Sequence, residues 1–315
     1  MEVMPLGISI ILSIYNGKQN ISVQIDSILK QSYKEWELII RDDGSVDSMF
    51  EVINGYVHKY PERIRILDDQ SCNLGISQSF CRLLSQCGKE YIMFCDQDDV
   101  WQPDKIEVTL VKMKELEKQY GMDTPILIHT DLKVADENTN VIAESFWKYQ
   151  HLNPKKGKSL NRLLTQNTIT GCTMMINRAL RNKINFIPEQ AIVYDWWISL
   201  VAAAFGKIDY VTSPTMLYRQ HDSNSIGAKE WGLKYINKMA SLGKSNLRAI
   251  LLKTQSQAKA FLEVYRHELP QEYIKLLTVY STLDQQGVFM RRLNLIRYGF
   301  LKTGFRRNIG LFFAI

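Results

Sequence analysis

Cysteine and histidine are both scarce in this chain, five of each among 315 residues. The cysteines, at positions 72, 81, 87, 95 and 172, form no CxxC pair. That excludes a zinc knuckle or a disulfide framework as the organising device and fits free thiols in a reducing cytoplasm. No apolar run approaches the roughly 20 residues needed to cross a bilayer, so no membrane-spanning helix is expected. The N-terminus has no basic segment and no cleavage-site pattern, so no signal peptide is expected either. Neither GxGxxG nor GxxxxGK[ST] occurs, and phosphates, if bound, must be held by something other than a glycine cradle. Internal repeats and low-complexity segments are missing too. Acidic residues run out early: none follows Asp284.

What is present is a chain that is 45% hydrophobic, enough for one large domain or two. Its formal charge of +6 is unevenly spread. Residues 1–215 hold 23 Lys and Arg against 27 Asp and Glu, whereas residues 216–315 hold 16 against 6. A mildly acidic body with a basic tail suits an anionic partner for the tail.

The most informative stretch runs from Tyr91 to Trp101, an apolar strand that stops in Asp96-Gln97-Asp98-Asp99, three carboxylates within four positions. Carboxylates at the end of a buried strand need a cation or hydrogen-bond donors. Clustered hard oxygens suit Mg²⁺ or Mn²⁺, which also bind substrate phosphates. The plainer reading is a solvated turn in which Asp99 or Asp104 caps the helix starting near Pro103. Two earlier strands, Ile8 to Tyr15 and Trp36 to Ile40, end in Tyr15-Asn16-Gly17 and Asp42-Asp43-Gly44-Ser45. Asn73-Leu74-Gly75 opens the helix that feeds the central strand. Strands alternating with helices, each strand nearly all apolar, predict an α/β fold with a mostly parallel sheet flanked by helices. Ligands in such sheets sit beyond the carboxyl ends of the strands, so the three polar clusters should meet at one crevice. Further along, Asn167 to Asn177 reads as a strand. A strongly apolar helix runs from Val193 to Phe205, a short strand covers Ile208 to Val211, and Leu217 to His221 forms an edge.

In that order these motifs, with Asp195-Trp196-Trp197 and Tyr218-Arg219-Gln220-His221, resemble the inverting glycosyltransferases of family 2, which have the GT-A nucleotide-sugar fold. The resemblance covers about residues 6–225. Asp-Gln-Asp-Asp-Val-Trp with the histidine motif is similar to the branch containing bacterial rhamnosyltransferases. The resemblance implies that Asp96 and Asp98 form the motif holding the divalent cation (Mg²⁺ or Mn²⁺) and the donor ribose, Asp98 the more direct ligand. It implies that His221 completes the metal site. It places Tyr15, Asn16 and Asp42 or Asp43 at the nucleotide base, and Gly171 beside the donor sugar. Asp195 matches the catalytic base, a carboxylate that takes the proton of an attacking hydroxyl. Here Tyr194 precedes it, where many members carry a second acid. His129, Asp131, Trp196 and Trp197 are expected on the acceptor side. On the residues alone, Asp195 reads equally as the N-cap of its helix.

The resemblance further implies a nucleotide-diphosphate sugar donor, dTDP-L-rhamnose being favoured over a UDP-hexose. The acceptor would be a hydroxyl of a cell-surface polysaccharide or lipid-linked glycan. A GT-A domain is expected over residues 1–225 and a helical, basic extension over 226–315. Within it, 289–315 alternates aromatic and basic positions, a pattern suited to an anionic membrane surface, where each Lys or Arg is worth about 1 kcal/mol. A peripheral enzyme on the cytoplasmic face of the membrane is therefore expected. The competing expectation is a helix packed on the catalytic domain with its charges in solvent. No nucleic-acid motif accompanies the charge, and no nucleic-acid partner is expected. The rivals from other classes are a nucleotidyltransferase and a non-catalytic sugar-nucleotide binding protein.

Overall fold

The computed structural model describes residues 7–69, 71, 73–221, 227, 228, 230 and 243–314. Within the helical extension expected over 226–315, residues 226, 229, 231–242 and 315 lie outside the described residues, as does Cys72. The four described cysteines are all free thiols.

Two compact units share the chain. The first is made of Met1–Phe146, Thr170–Ile187 and Lys207–Gly227, the second of Trp147–Ile169, Pro188–Gly206 and Ala228–Ile315. The second unit thus takes in two internal segments besides the C-terminal region.

The first unit is built on one mixed sheet. Strands β1 (Ile8–Ile14), β2 (Trp36–Asp42), β3 (Ile64–Ile66) and β4 (Tyr91–Cys95) pair in parallel in the order β3-β2-β1-β4. Every residue of β4 is buried, which is why its sequence is a continuous apolar run and not an alternation. Beyond β4 the direction changes. β8 (Met175–Asn177) runs antiparallel between β4 and β6 (Ile126–Ala135), and β6 pairs in parallel with β9 (Lys207–Arg219). The short β5 (Val100–Trp101) closes the sheet against β9, and β7 (Val141–Ala143) pairs with the end of β6. Two expectations are corrected here. The stretch 167–177 is a strand only at its last three residues, a 3-10 turn occupying Gly171–Thr173. The segments 208–211 and 217–221 belong largely to one long strand that bends at irregularities in its pairing with β6, and the edge is β5.

Register fixes where the polar clusters go. Ile14 pairs with Asp42 and Leu12 with Cys95, so β1, β2 and β4 end within a residue or two of one another. β9 runs in the same direction as β4, through two antiparallel steps and one parallel one, and delivers Arg219 and His221 to the same edge.

In the second unit, the helix Tyr194–Phe205 is buried along most of its length. Trp197 packs edge-on against Phe261 and beside Tyr265, rings 5.3 and 6.2 Å apart, on the long helix Gly243–Tyr265. Helices Gln271–Ser281, Val288–Arg297 and Phe305–Ala314 follow.

Candidate active site

At the end of β4 the acidic loop is pinned from several sides. Gln97 bridges to the loop after β1: its Nε2 donates to the Tyr15 carbonyl at 2.9 Å and its Oε1 accepts from the Tyr15 N–H at 2.8 Å. Gly17 leaves room for that bridge, because a Cβ there would fall 2.4 Å from the Gln97 amide. Arg219 donates from Nε to the Asp98 carbonyl at 2.8 Å, and from its backbone N–H to Asp99 Oδ1 at 3.4 Å. His221 Nε2 lies 2.5 Å from Asp98 Oδ2. Asp96, Asp99 and Cys172 bring one carboxylate oxygen each and the thiol sulfur within 4.8 Å of one another.

Of the expected metal residues, Asp98 meets His221, while Asp96 lies with Asp99, which was not among them. These residues fit a hard cation. Asp99 is fully buried, and its Oδ2 accepts no well-formed hydrogen bond among the described residues. Burial, with Asp98 and Asp96 close by, pushes its carboxyl well above the ordinary range. A cation would reverse that and let Asp99 ionise. Cys172 is the poor member of the set, since burial and the same carboxylates hold its thiol protonated, and a thiol suits neither Mg²⁺ nor Mn²⁺. Asp99 caps no helix through its side chain, and neither does Asp104, where the helix Lys105–Tyr120 begins.

Behind this loop lies Lys105, which sequence reasoning passed over. It is fully buried, donating to the Cys172 carbonyl at 3.0 Å and to Thr215 Oγ1 at 3.3 Å, with its ammonium over the Trp101 ring. Desolvation lowers its pKa to about 8 despite the acids nearby.

The loop after β2 separates its two acids. Asp42 Oδ1 takes three donors, the N–H groups of Gly44 and Ser45 and the Ser45 hydroxyl. The carboxylate thereby closes an Asx-type turn on its own loop. Its Ser45 and Asp47 reach back to the backbone N–H groups of Asn16 and Lys18, tying it to the loop after β1. Asp43 is buried and accepts from Arg41 Nη1 and from the Leu74 and Gly75 N–H groups, all at 2.8 Å. Burial opposes its ionisation, but these bonds together hold its carboxyl below the usual range. Arg41, also missed, is fully buried with all five N–H donors engaged, by Asp43, Ser79, Asp69 (twice) and the Ser71 carbonyl. Tyr15 stands 52% exposed at the mouth of this edge, free to lie beside a base.

Other expected residues land elsewhere. His129 is fully buried beside Tyr210, and Asp131 is buried with its carboxylate accepting from the Ser145 hydroxyl and the Leu132 N–H. Neither presents a surface to an acceptor. Trp197 is core, for the packing given above, and offers no sugar platform. Gly171 is buried in its 3-10 turn. Asp195 and Trp196 belong to the second unit. Asp195 is not an N-cap: the cap position is Val193, and Asp195 sits in the first helical turn. Its Oδ1 accepts from Asn167 Nδ2 at 3.1 Å, and Trp196 Nε1 donates to the Leu163 carbonyl.

A sheet of this topology gathers acids, an exposed tyrosine and a histidine at the ends of its strands. Residues 9–184 match the model of glycosyl transferase family 2, and the chain belongs to that family. It is a glycosyltransferase. Over 298 residues it is 24% identical to the dTDP-rhamnosyl transferase RfbG of Shigella flexneri, covering 85% of this chain and 99% of that one. It is 29% identical over 198 residues to the UDP-Glc:alpha-D-GlcNAc-diphosphoundecaprenol beta-1,3-glucosyltransferase WfgD of Escherichia coli, 62% of this chain and 69% of the relative. Among solved structures, S. aureus TarS 1-349 in complex with UDP-GlcNAc superposes with a TM-score of 0.54 at 14% identity, covering 93% of this chain and 89% of that one. The fold is accordingly GT-A, with a helical C-terminal region.

Proposed function

We propose that this enzyme transfers a sugar, with inversion, from a nucleoside diphosphate donor to a hydroxyl of a growing cell-surface or lipid-linked glycan, and that the donor is dTDP-L-rhamnose. The buried Asp99 carboxylate, whose Oδ2 accepts no well-formed hydrogen bond among the described residues, lies close to Asp96 and Asp98 and carries the reading, since such a cluster suits a cation of the kind a diphosphate accompanies. Asp96, Asp98 and Asp99 would hold that ion, with His221 on Asp98. When bound, it supplies Lewis-acid stabilisation of charge on the departing diphosphate. The mannosyltransferase PcManGT of Pyrobaculum calidifontis, solved with GDP-Man and Mn2+, supports a divalent ion (TM-score 0.51, 13% identity, 93% of this chain and 74% of that one).

The chain's own residues do the rest. Tyr15 packs against the base. Of the two acids after β2, Asp43 is committed to Arg41 and the Asn73–Gly75 loop, which leaves Asp42 Oδ2 to accept from a pyrimidine N3–H. Asp195, oriented by Asn167, takes the proton of the attacking acceptor hydroxyl. Attack from the face opposite the diphosphate needs one base and inverts the anomeric carbon. The rhamnosyl choice rests on the likeness to RfbG. A UDP-hexose is the second reading, favoured by the WfgD relative.

A thermal-shift panel of nucleotide sugars with and without Mn²⁺ tests the donor. At 100 times its Kd a ligand stabilises by about 2.7 kcal/mol, so the true donor should stand out. Asp98→Asn should abolish the Mn²⁺-dependent shift, and Asp195→Asn should keep it while turnover falls at least a hundredfold. Retained turnover in Asp195→Asn would remove the assigned base. Release of pyrophosphate in place of a nucleoside diphosphate would mark a nucleotidyltransferase.

A further inference from the structure

The last two helices of the second unit wear their apolar side chains on the outside. On Val288–Arg297, Phe289 and Ile296 are 78% and 65% exposed, with Val288, Met290 and Leu293 also open. On Phe305–Ala314, Phe305 and Phe313 are 80% and 64% exposed, with Ile309 open between them. Their spacing gathers them. At about 100° per residue, Phe289, Leu293 and Ile296 fall within one stripe, and so do Phe305, Ile309 and Phe313. The buried residues Asn294, Leu295 and Leu311 lie on the other sides of the two helices. An amphipathic helix packed on a soluble protein is arranged the opposite way round.

These helices are nonetheless docked within their unit. Asn161 Nδ2 donates to the Tyr298 carbonyl at 3.0 Å, Arg162 Nη1 to that of Leu301 at 3.0 Å, and the Thr303 N–H to Gln166 Oε1 at 2.7 Å. Tyr280 packs edge-on against Phe300, rings 4.9 Å apart. The exposed stripes are thus a fixed feature of a folded unit.

The cations divide in the same way. Arg291 donates to the carbonyls of Gln286 and Asp284, Arg307 to those of Gln150, His151 and Thr303, and Lys302 is half-buried. Arg292, Arg297 and Arg306 are exposed. On the helical projection Arg292 and Arg297 flank the first stripe on its two sides and Arg306 borders the second. No carboxylate side chain follows Asp284 to oppose them.

We infer that the two exposed stripes, Phe289, Leu293 and Ile296 on one helix and Phe305, Ile309 and Phe313 on the next, flanked by Arg292, Arg297 and Arg306, dock on the surface of an anionic lipid bilayer. The apolar side chains would enter the headgroup–acyl boundary while the arginines hold lipid phosphates, as interfacial helices do. Charge complementarity argues for lipid over a second copy of this chain, since a self-contact would set the same cationic rims against each other. The tail packs within its own unit and leaves these apolar side chains exposed. This surface is independent of the donor site.

The test is flotation of the full-length protein with phosphatidylcholine vesicles with and without phosphatidylglycerol. Binding should require phosphatidylglycerol and fall as salt rises. The triple variant Phe289→Gln, Ile296→Gln, Phe305→Gln should lose it while keeping the wild-type melting temperature and donor-induced shift, because all three side chains are exposed. Arg292→Gln and Arg306→Gln should each weaken it about fivefold, the factor that corresponds to roughly 1 kcal/mol. Absence of flotation with anionic vesicles, flotation unaltered in the triple variant, or a dimer that the triple variant dissociates would each overturn the proposal.

Discussion

Lys105 keeps its ammonium at zero exposure, facing a carbonyl, a hydroxyl and a tryptophan ring instead of a carboxylate in contact. Such a charge is costly, and the drop of its pKa from 10.5 to about 8 states the cost. The folded state binds this proton less tightly than the unfolded state does. Between pH 8 and 10.5 the unfolded chain therefore carries the extra proton, and stability rises with pH through that window. Below pH 8 the penalty is present in full, on the order of 3 kcal/mol by the size of the shift. The buried thiols Cys95 and Cys172 act in the opposite sense, since their raised pKa values cost stability as pH climbs past 9. Lys105→Met separates the two contributions. Urea unfolding of both proteins below and above the window should show the wild type gaining on the variant as pH rises. Parallel pH profiles would mean that the lysine titrates normally. Nothing in the sequence marks Lys105, which reads as the first charge of an ordinary solvated helix. Its burial follows from the placing of β5 and β9, decided far away in the chain.

At the level of strands and loops, the apolar runs of β1, β2 and β4 and the polar residues that end them were legible, because a strand buried on both faces leaves a continuous signature. What holds the strand-end loops together was not. Gln97 and Tyr15 are 82 positions apart, and only the register of β1 against β4 makes them neighbours. Arg41 reads as the charged end of a strand, and becomes a hub once Asp69 and Ser79 come round it. The long β9 was split in two by reading its irregular middle as a loop. Gly17 shows how local sequence and distant partner combine. Its φ of −124° suits any residue, so the constraint is the space taken by the Gln97 amide. That amide is the far end of a flexible side chain and can swing away, so Gly17→Ala should cost the fold little, about 1 kcal/mol for the lost hydrogen bonds. The two bonds fixing Tyr15 would go, however, and with them the order of the loop proposed to carry the base. Donor affinity is expected to fall about tenfold, an amount equal to 1.4 kcal/mol. Titration calorimetry with the best donor from the panel measures it; unchanged affinity would show that the bridge does not position Tyr15.

Across the whole chain, the basic composition after residue 215 pointed to a separable tail, and the packing of the second unit argues otherwise. Trp197 precedes the basic tail in the chain, yet its ring is covered by Phe261 and Tyr265 from the C-terminal region. Phe205 meets Tyr265 as well, and the Ile192 N–H donates to Gln257. The periodicity of 193–205 announces a buried helix without saying what buries it, so the sequence leaves Trp197 open to the acceptor side. Cutting the chain after residue 225 would uncover this helix. Burial of one large side chain is worth roughly 1.5–3 kcal/mol, so stripping the partners of Trp197, Phe205 and their neighbours costs on the order of 5 kcal/mol or more. A typical domain has about 5–15 kcal/mol in all. The fragment 1–225 should therefore be insoluble, or bind a hydrophobic dye and melt without a cooperative transition. By contrast, the full chain bearing the triple substitution at Phe289, Ile296 and Phe305 should stay folded, because those side chains are already in water. A soluble fragment 1–225 with a sharp thermal transition and an intact donor-induced shift would show that the second unit's core forms without the helix Gly243–Tyr265, contrary to the contacts around Trp197.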